Sequence, residues 1–113
     1  MNRRKTGAEY EEKALVYLES LGMRLRERNY RTRYGEIDLI LQDGPALVFV
    51  EVKYRATAKS GYALEAVTGR KQQKILRIAR QYLYSHHIAE TTPVRFDCVG
   101  YTGEELRYVK NAF

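Results

Sequence analysis

One cysteine in 113 residues, Cys98, leaves no partner for an intrachain disulfide and no second thiolate for a zinc knuckle or a CxxC redox pair. Its thiol is expected inside, as a small hydrophobe. No run of about 18 or more apolar residues is present, which excludes a membrane-spanning helix. The basic start Asn2-Arg3-Arg4-Lys5 leads into charged residues rather than the apolar core of a signal peptide. A soluble, cytoplasmic protein with no membrane partner is therefore expected. Internal repeats, low-complexity tracts and linkers are also missing, and the length suits a single domain over 1–113, with no room for a second catalytic domain. The two histidines, His86 and His87, are adjacent, which gives neither the i, i+4 pairing nor the ligand set of a zinc helix. At a helix end they would complement its dipole.

What the chain does have is positive charge and periodic apolar residues. Twenty Lys and Arg against 14 Asp and Glu give a net charge of +6, which favours a polyanionic partner through phosphate contacts and counterion release. A 44% apolar content suffices for one modest core. Thr6-Gly7-Ala8-Glu9 has the form of a capping box, predicting a helix over 7–21 whose buried stripe is Tyr10, Ala14, Tyr17, Leu18 and Leu21, ended by Gly22. Alternation over 23–30 predicts an edge strand. A second strand is expected over 36–41, a hairpin turn at Asp43-Gly44-Pro45, and a third, central strand over 47–53. Residues 54–61 read as a mobile surface loop. A second helix follows, with Val67, Lys71, Ile75, Ile78, Ala79, Tyr82 and Leu83 on one side and Arg70, Gln73, Arg77 and Arg80 on the other. Two more strands, over 94–99 and 106–109, complete an α/β fold with one mixed sheet of about five strands flanked by helices.

Chemistry concentrates on the second and third strands. Alternation puts Phe49, Glu51 and Lys53 on one face of the third strand and Val48, Val50 and Val52 on the other. In the second strand Asp38 interrupts the Ile37, Leu39, Leu41 set and shares a face with Glu36 and Ile40. If the hairpin pairs as drawn, Asp38 and Glu51 converge across neighbouring strands. Charges on an inner strand cost several kcal/mol unless paired or bound to a metal. Two oxygen-donor carboxylates suit Mg²⁺ or Mn²⁺, and such an ion with a nearby lysine is equipped for phosphodiester hydrolysis. The simpler reading of Glu51 and Lys53 is an ion pair and nothing more. Glu36 is as well suited to a strand-start surface charge as to an auxiliary ligand, and Asp97 to a structural hydrogen-bond partner.

Gly35-Glu36-Ile37-Asp38-Leu39-Ile40, ten intervening residues and Glu51-Val52-Lys53 resemble the split D…E-x-K signature of the restriction-endonuclease-like superfamily, especially archaeal Holliday-junction resolvases. The flanks extend the likeness. Gly7, Glu11, Ala14, Tyr17-Leu18, Arg28-Asn29-Tyr30-Arg31, Tyr54-Arg55, a lysine-bearing helix and Arg95-Phe96-Asp97 resemble the YraN-like family of small bacterial proteins over nearly the whole chain. The chain departs from that pattern at Tyr10, where glycine is frequent. The resemblance implies a restriction-endonuclease-like sheet, metal ligation by Asp38, Glu51 and Glu11, and Lys53 as catalytic lysine. Glu11 would assist through the metal or its waters.

Around this site Arg28, Arg31, Arg33 and Arg55 are candidates for phosphate contacts, with Tyr30, Tyr34 and Tyr54 interleaved. Lys71 and Gln72, near a helix start, could reach a scissile phosphate. The first functional expectation is a metal-dependent nuclease acting on DNA ahead of RNA, on branched or otherwise structured DNA by analogy with resolvases. That analogy also implies a homodimer, since two strands require two sites. The alternatives are a non-catalytic nucleic-acid-binding or recruitment module of the same fold, and an adaptor whose basic face docks on an acidic protein.

Overall fold

The computed structural model of the chain describes residues 3–59 and 61–113. Its first element, α1 (Arg3–Ser20), starts earlier than the Thr6 capping box predicts, so Thr6 lies inside the helix rather than ahead of it. The far end matches expectation. Gly22 takes φ +97°, and the N–H groups of Gly22 and Met23 close onto the Glu19 and Leu18 carbonyls at 2.9 and 3.3 Å. Ala14 and Leu18 are fully buried and Tyr10 and Tyr17 pack at the margin. Leu15, not Leu21, completes the stripe; Leu21 is 50% exposed because it falls in the turn, where helical spacing no longer sets its direction.

Three antiparallel strands follow as a meander: β1 (Arg24–Thr32), β2 (Gly35–Asp43) and β3 (Ala46–Arg55). All three outrun the apolar pattern, since backbone pairing continues after alternation has ceased. Tyr54 and Arg55, read as loop, are thus the last residues of β3. A 3-10 turn at Ala63–Ala66, which the sequence did not signal, precedes α2 (Gly69–Ser85). Thr68 caps α2, its hydroxyl accepting from the Lys71 N–H at 3.4 Å. Then come β4 (Val94–Thr102), parallel to β3, and β5 (Glu105–Val109), antiparallel to β4. The sheet order β1-β2-β3-β4-β5 puts β3 at the centre and β1 at an edge, as expected. A parallel β3–β4 step needs a crossover, and α2 supplies it.

Each sheet face carries one helix. Leu39, Leu41, Val48, Val50, Val52 and Val99 pack with α1, while Ile40, Leu47 and Phe49 pack with Ile75, Ile78, Ala79 and Tyr82 of α2. Full burial of side chains this size contributes about 1.5–3 kcal/mol each. The alternation in β3 is therefore real, and after Leu47 and Phe49 the same series continues with Glu51 and Lys53.

Ile37 breaks the expected set, packing in the α2 cluster rather than with Leu39 and Leu41. The cause lies opposite. The pairs Arg28↔Leu39 and Tyr30↔Ile37 bracket Asn29, whose φ of +49° disturbs the two-residue period. Arg28 accordingly reaches Glu12 of α1, whereas Tyr30 lies edge-on to Tyr82 of α2.

Asp97 is a structural partner. Wholly buried, its carboxylate accepts from Arg95 Nε and Nη2, Tyr108 Oη and the Asn111 N–H, and Arg95 also pairs with Asp43 at 3.0 Å. Among the described residues no helix is long and apolar enough to cross a membrane.

Candidate active site

The β2–β3 ladder runs from Asp43↔Ala46 to Leu39↔Val50 and stops. One residue beyond, the Asp38 carboxylate substitutes for a backbone acceptor: the Val52 N–H donates to Oδ2 at 2.8 Å. Where the strands part, acidic groups from two further places arrive. Glu11 comes from α1 and Glu36 from the start of β2, and carboxylate oxygens of Glu11, Glu36 and Asp38 lie within 4.8 Å of one another. Asn29 ties this arrangement together, its Nδ2 donating to Glu11 Oε1 at 2.8 Å and to Glu36 Oε1 at 2.6 Å. Arg31 holds the other Glu36 oxygen at 3.0 Å.

On β3, Glu51 is buried and its Oε1 meets Lys53 Nζ at 2.9 Å. The carboxylates still sense one another. Burial and then the neighbouring Glu51 charge push the Asp38 carboxyl up to about 8, with Glu11 adding and the Val52 N–H and Lys53 opposing. Glu11 is raised by burial, against the Asn29 hydrogen bond, and further by Glu36 and Glu51. Burial works against the Lys53 ammonium, yet Glu51, the hydrogen bond with Lys71 and Asp38 leave its pKa raised. Lys71 is the counterpart: its hydrogen bond with Lys53, burial and the Lys53 charge hold it below the ordinary lysine value.

Three oxygen-donor groups this close, one retaining its proton near neutrality, fit a hard divalent cation that would displace the proton and offset the repulsion. Glu11, Glu36 and Asp38 are the groups placed to hold it. Of the residues named from sequence, Asp38 and Glu11 meet in this triplet and Lys53 stands beside it. Glu36, the auxiliary-ligand candidate, completes the triplet, and Glu51, the strongest neighbouring charge on Asp38, adjoins it while pairing with Lys53. Asn29 is the residue that sequence reasoning missed. Its signal was available in retrospect, because an asparagine inside a strand is among the few residues that readily take positive φ.

The basic candidates fall into different situations. Arg28 pairs with Glu12 at 2.6 Å and Arg31 with Glu36, so both are already partnered at the rim. Arg33 bonds Tyr34 Oη at 2.8 Å, and Arg55 Nη1 reaches the Gly61 carbonyl at 3.5 Å. Lys71 joins the site through Lys53. Gln72 donates to the Val67 carbonyl at 3.3 Å, securing the start of α2.

Comparison with known proteins bears on the whole of this framework. The Uncharacterised protein family UPF0102 matches residues 10–100, a span from α1 to β4 that includes every acidic residue of the site. A UPF0102 protein of Fusobacterium nucleatum is 44% identical over 111 residues, covering 98% of this chain and 92% of its own. One from Klebsiella pneumoniae is 44% identical over 111 residues, at 97% and 87% coverage. The UPF0102 protein YraN of Escherichia coli is 42% identical over 114 residues, at 100% and 87% coverage.

Proposed function

The chain belongs to the UPF0102 family, and from the residues gathered where β2 and β3 part we propose that it is a metal-dependent nuclease of restriction-endonuclease-like type, hydrolysing phosphodiester bonds in DNA in the cytoplasm. The observation that carries this reading is the convergence of Glu11, Glu36 and Asp38 within 4.8 Å, with Lys53 alongside. Bound Mg²⁺ or Mn²⁺ would supply Lewis acidity toward a phosphate oxygen and a water of lowered pKa. The chain's own residues do the rest. The three carboxylates would hold the ion, Asn29 keeps Glu11 and Glu36 from splaying apart, and the Lys53 ammonium would stabilise negative charge growing on the phosphate. Glu51 fixes the Lys53 side chain.

The deciding experiment is a cleavage assay on linear, single-stranded and four-way-junction DNA, with Mn²⁺, with Mg²⁺ and with chelator. Metal-supported cleavage lost in both Asp38→Ala and Lys53→Ala supports the reading. Cleavage that persists in both variants means another site or another protein is responsible. A second reading, a nucleic-acid-binding module without catalysis, draws on the Glu51–Lys53 ion pair, which already neutralises two of the groups. It is favoured if the purified protein binds DNA, with or without Mn²⁺, and cleaves none of the three substrates.

A further inference from the structure

The outer face of α2 carries Arg70, Lys74, Arg77 and Arg80, all exposed. With Tyr34 and Gln73 they line a groove of about 430 Å³ between the helix and the β1–β2 turn. Among the described residues none of these four cations, nor Arg33, pairs with a carboxylate. Arg28, Arg31, Lys53, Arg95 and Arg107 all do. Unlike Arg24, Arg26 and Lys110, which also lack a carboxylate partner but stand apart, the four cations of α2 form one row along a groove.

That face is also ordered. The Arg77 guanidinium lies 4.1 Å from the Tyr34 ring centroid and that of Arg33 lies 5.0 Å away, so one tyrosine orients two cations. It is joined to the acidic site as well. Tyr34 immediately precedes Gly35 and Glu36, and a Cβ built on Gly35 would sit 3.3 Å from the Lys74 chain, so β2 and α2 touch where groove and site meet. Positions 70, 74, 77 and 80 succeed one another by about one helical turn, spanning roughly 15 Å, the axial rise of about four phosphates along one DNA strand.

We propose that this groove binds the sugar-phosphate backbone of nucleic acid, Arg70, Lys74, Arg77 and Arg33 each meeting a phosphate of the strand that leads into the acidic site. This deepens the nuclease reading by naming where the substrate beyond the reacting phosphate lies. The same groove would serve a non-catalytic binder equally. An extended polyanion fits better than an acidic protein surface because the cations form a row beside a groove. Their long side chains and the engaged Tyr34 ring suit phosphate contact, not base reading.

The test uses the full chain carrying Asp38→Asn, which blocks turnover, and fluorescence anisotropy with a labelled duplex DNA, the matching single strand, the matching RNA and polyaspartate. Adding Arg70→Gln, Lys74→Gln and Arg77→Gln together should weaken nucleic-acid binding by about tenfold or more. It should also lower the slope of log affinity against log salt by about 2–3. A control with the same charge loss elsewhere, Arg24→Gln, Arg107→Gln and Lys110→Gln, should change affinity by about twofold at most. Matching melting curves show that both triple variants are folded. Equal losses in the two triples, no binding by the parent, or a triple that loses polyaspartate but keeps DNA would each overturn the proposal. In the chain with Asp38 restored, cleavage unchanged by the α2 triple at low substrate overturns the groove while leaving the nuclease reading intact. Binding lost by the triple in a protein without cleavage does the opposite.

Discussion

Asp38 sits where a strand residue gives up its backbone pairing and offers a side chain in exchange, and this sets both its geometry and its titration. A carboxyl raised from 3.8 to about 8 binds its proton more tightly folded than unfolded. The stabilisation is fully present below about pH 4 and is lost as pH rises through about 8. Thermal melting of the metal-free protein should therefore show stability falling across that window, by at most about 1.4 kcal/mol per pH unit. Asp38→Asn, which can still accept from Val52, should flatten the profile and equal or exceed the wild type at pH 8. Saturating Mn²⁺ should raise the wild-type melting temperature there and leave Asp38→Asn unmoved; a shift of equal size in both would place the ion elsewhere. Lys53→Ala should still bind Mn²⁺ by calorimetry yet lose about 10²–10³ in any cleavage rate, assayed well below its melting temperature because Glu51 is left buried without its partner. Asn29 separates two effects. Asn29→Gly relieves the positive φ but removes both hydrogen bonds, so it should stay near wild-type stability while metal affinity falls about 10–100-fold. Asn29→Ala should lose the same affinity and in addition about 1–2 kcal/mol of stability. Asp38, Glu51 and Lys53 could be singled out from sequence because a charge on an apolar strand is conspicuous. Asn29 carried only the weaker signal of an asparagine inside a strand, because its role depends on a backbone dihedral that composition does not encode.

At the level of elements, the strands and helices were legible because each has one apolar period packed against one partner. Val48, Val50 and Val52 against Leu47 and Phe49 is a two-residue repeat with a buried consequence on both faces. Boundaries were less legible. Tyr54 and Arg55 continue β3 because β4 pairs alongside them, to Tyr101 and Thr102, which no local pattern announces. The 3-10 turn at Ala63–Ala66 depends on a contact rather than a propensity. Leu64 packs onto Gly100 of β4 so closely that a Cβ there would stand 2.7 Å from Leu64 Cγ and 3.3 Å from its backbone nitrogen. Gly100→Ala should consequently cost about 1–3 kcal/mol in chemical denaturation. Shortening the partner should recover part of that loss, so Gly100→Ala with Leu64→Ala should be more stable than additivity of the single changes predicts. Strict additivity would mean that the two positions do not meet.

For the molecule as a whole, the chain's single thiol lies on the central pair of strands and reports on global opening. Cys98 is 3% exposed, adjacent to Glu51 in the β3–β4 register, and its thiol is pushed up to about 11 by burial and by the Glu51 and Asp97 charges. Both access and thiolate formation are therefore suppressed in the folded state. Cys98 borders a small recess beside Leu64, Val67 and Val109 but is itself nearly inaccessible, so labelling by a neutral thiol reagent should follow the opening equilibrium rather than fraying of the chain ends. An ion held by Glu11, Glu36 and Asp38 would join α1 to β2 and so stabilise the folded sheet against the global opening that exposes Cys98. Saturating Mn²⁺ should slow labelling at pH 8 by the factor that its stabilisation predicts, about tenfold for each 1.4 kcal/mol. Asp38→Asn should show no such protection. Labelling that is fast in the native protein, or insensitive to Mn²⁺ where melting shows stabilisation, would mean that Cys98 is reached through a local opening of the β4–β5 side, uncoupled from the acidic site.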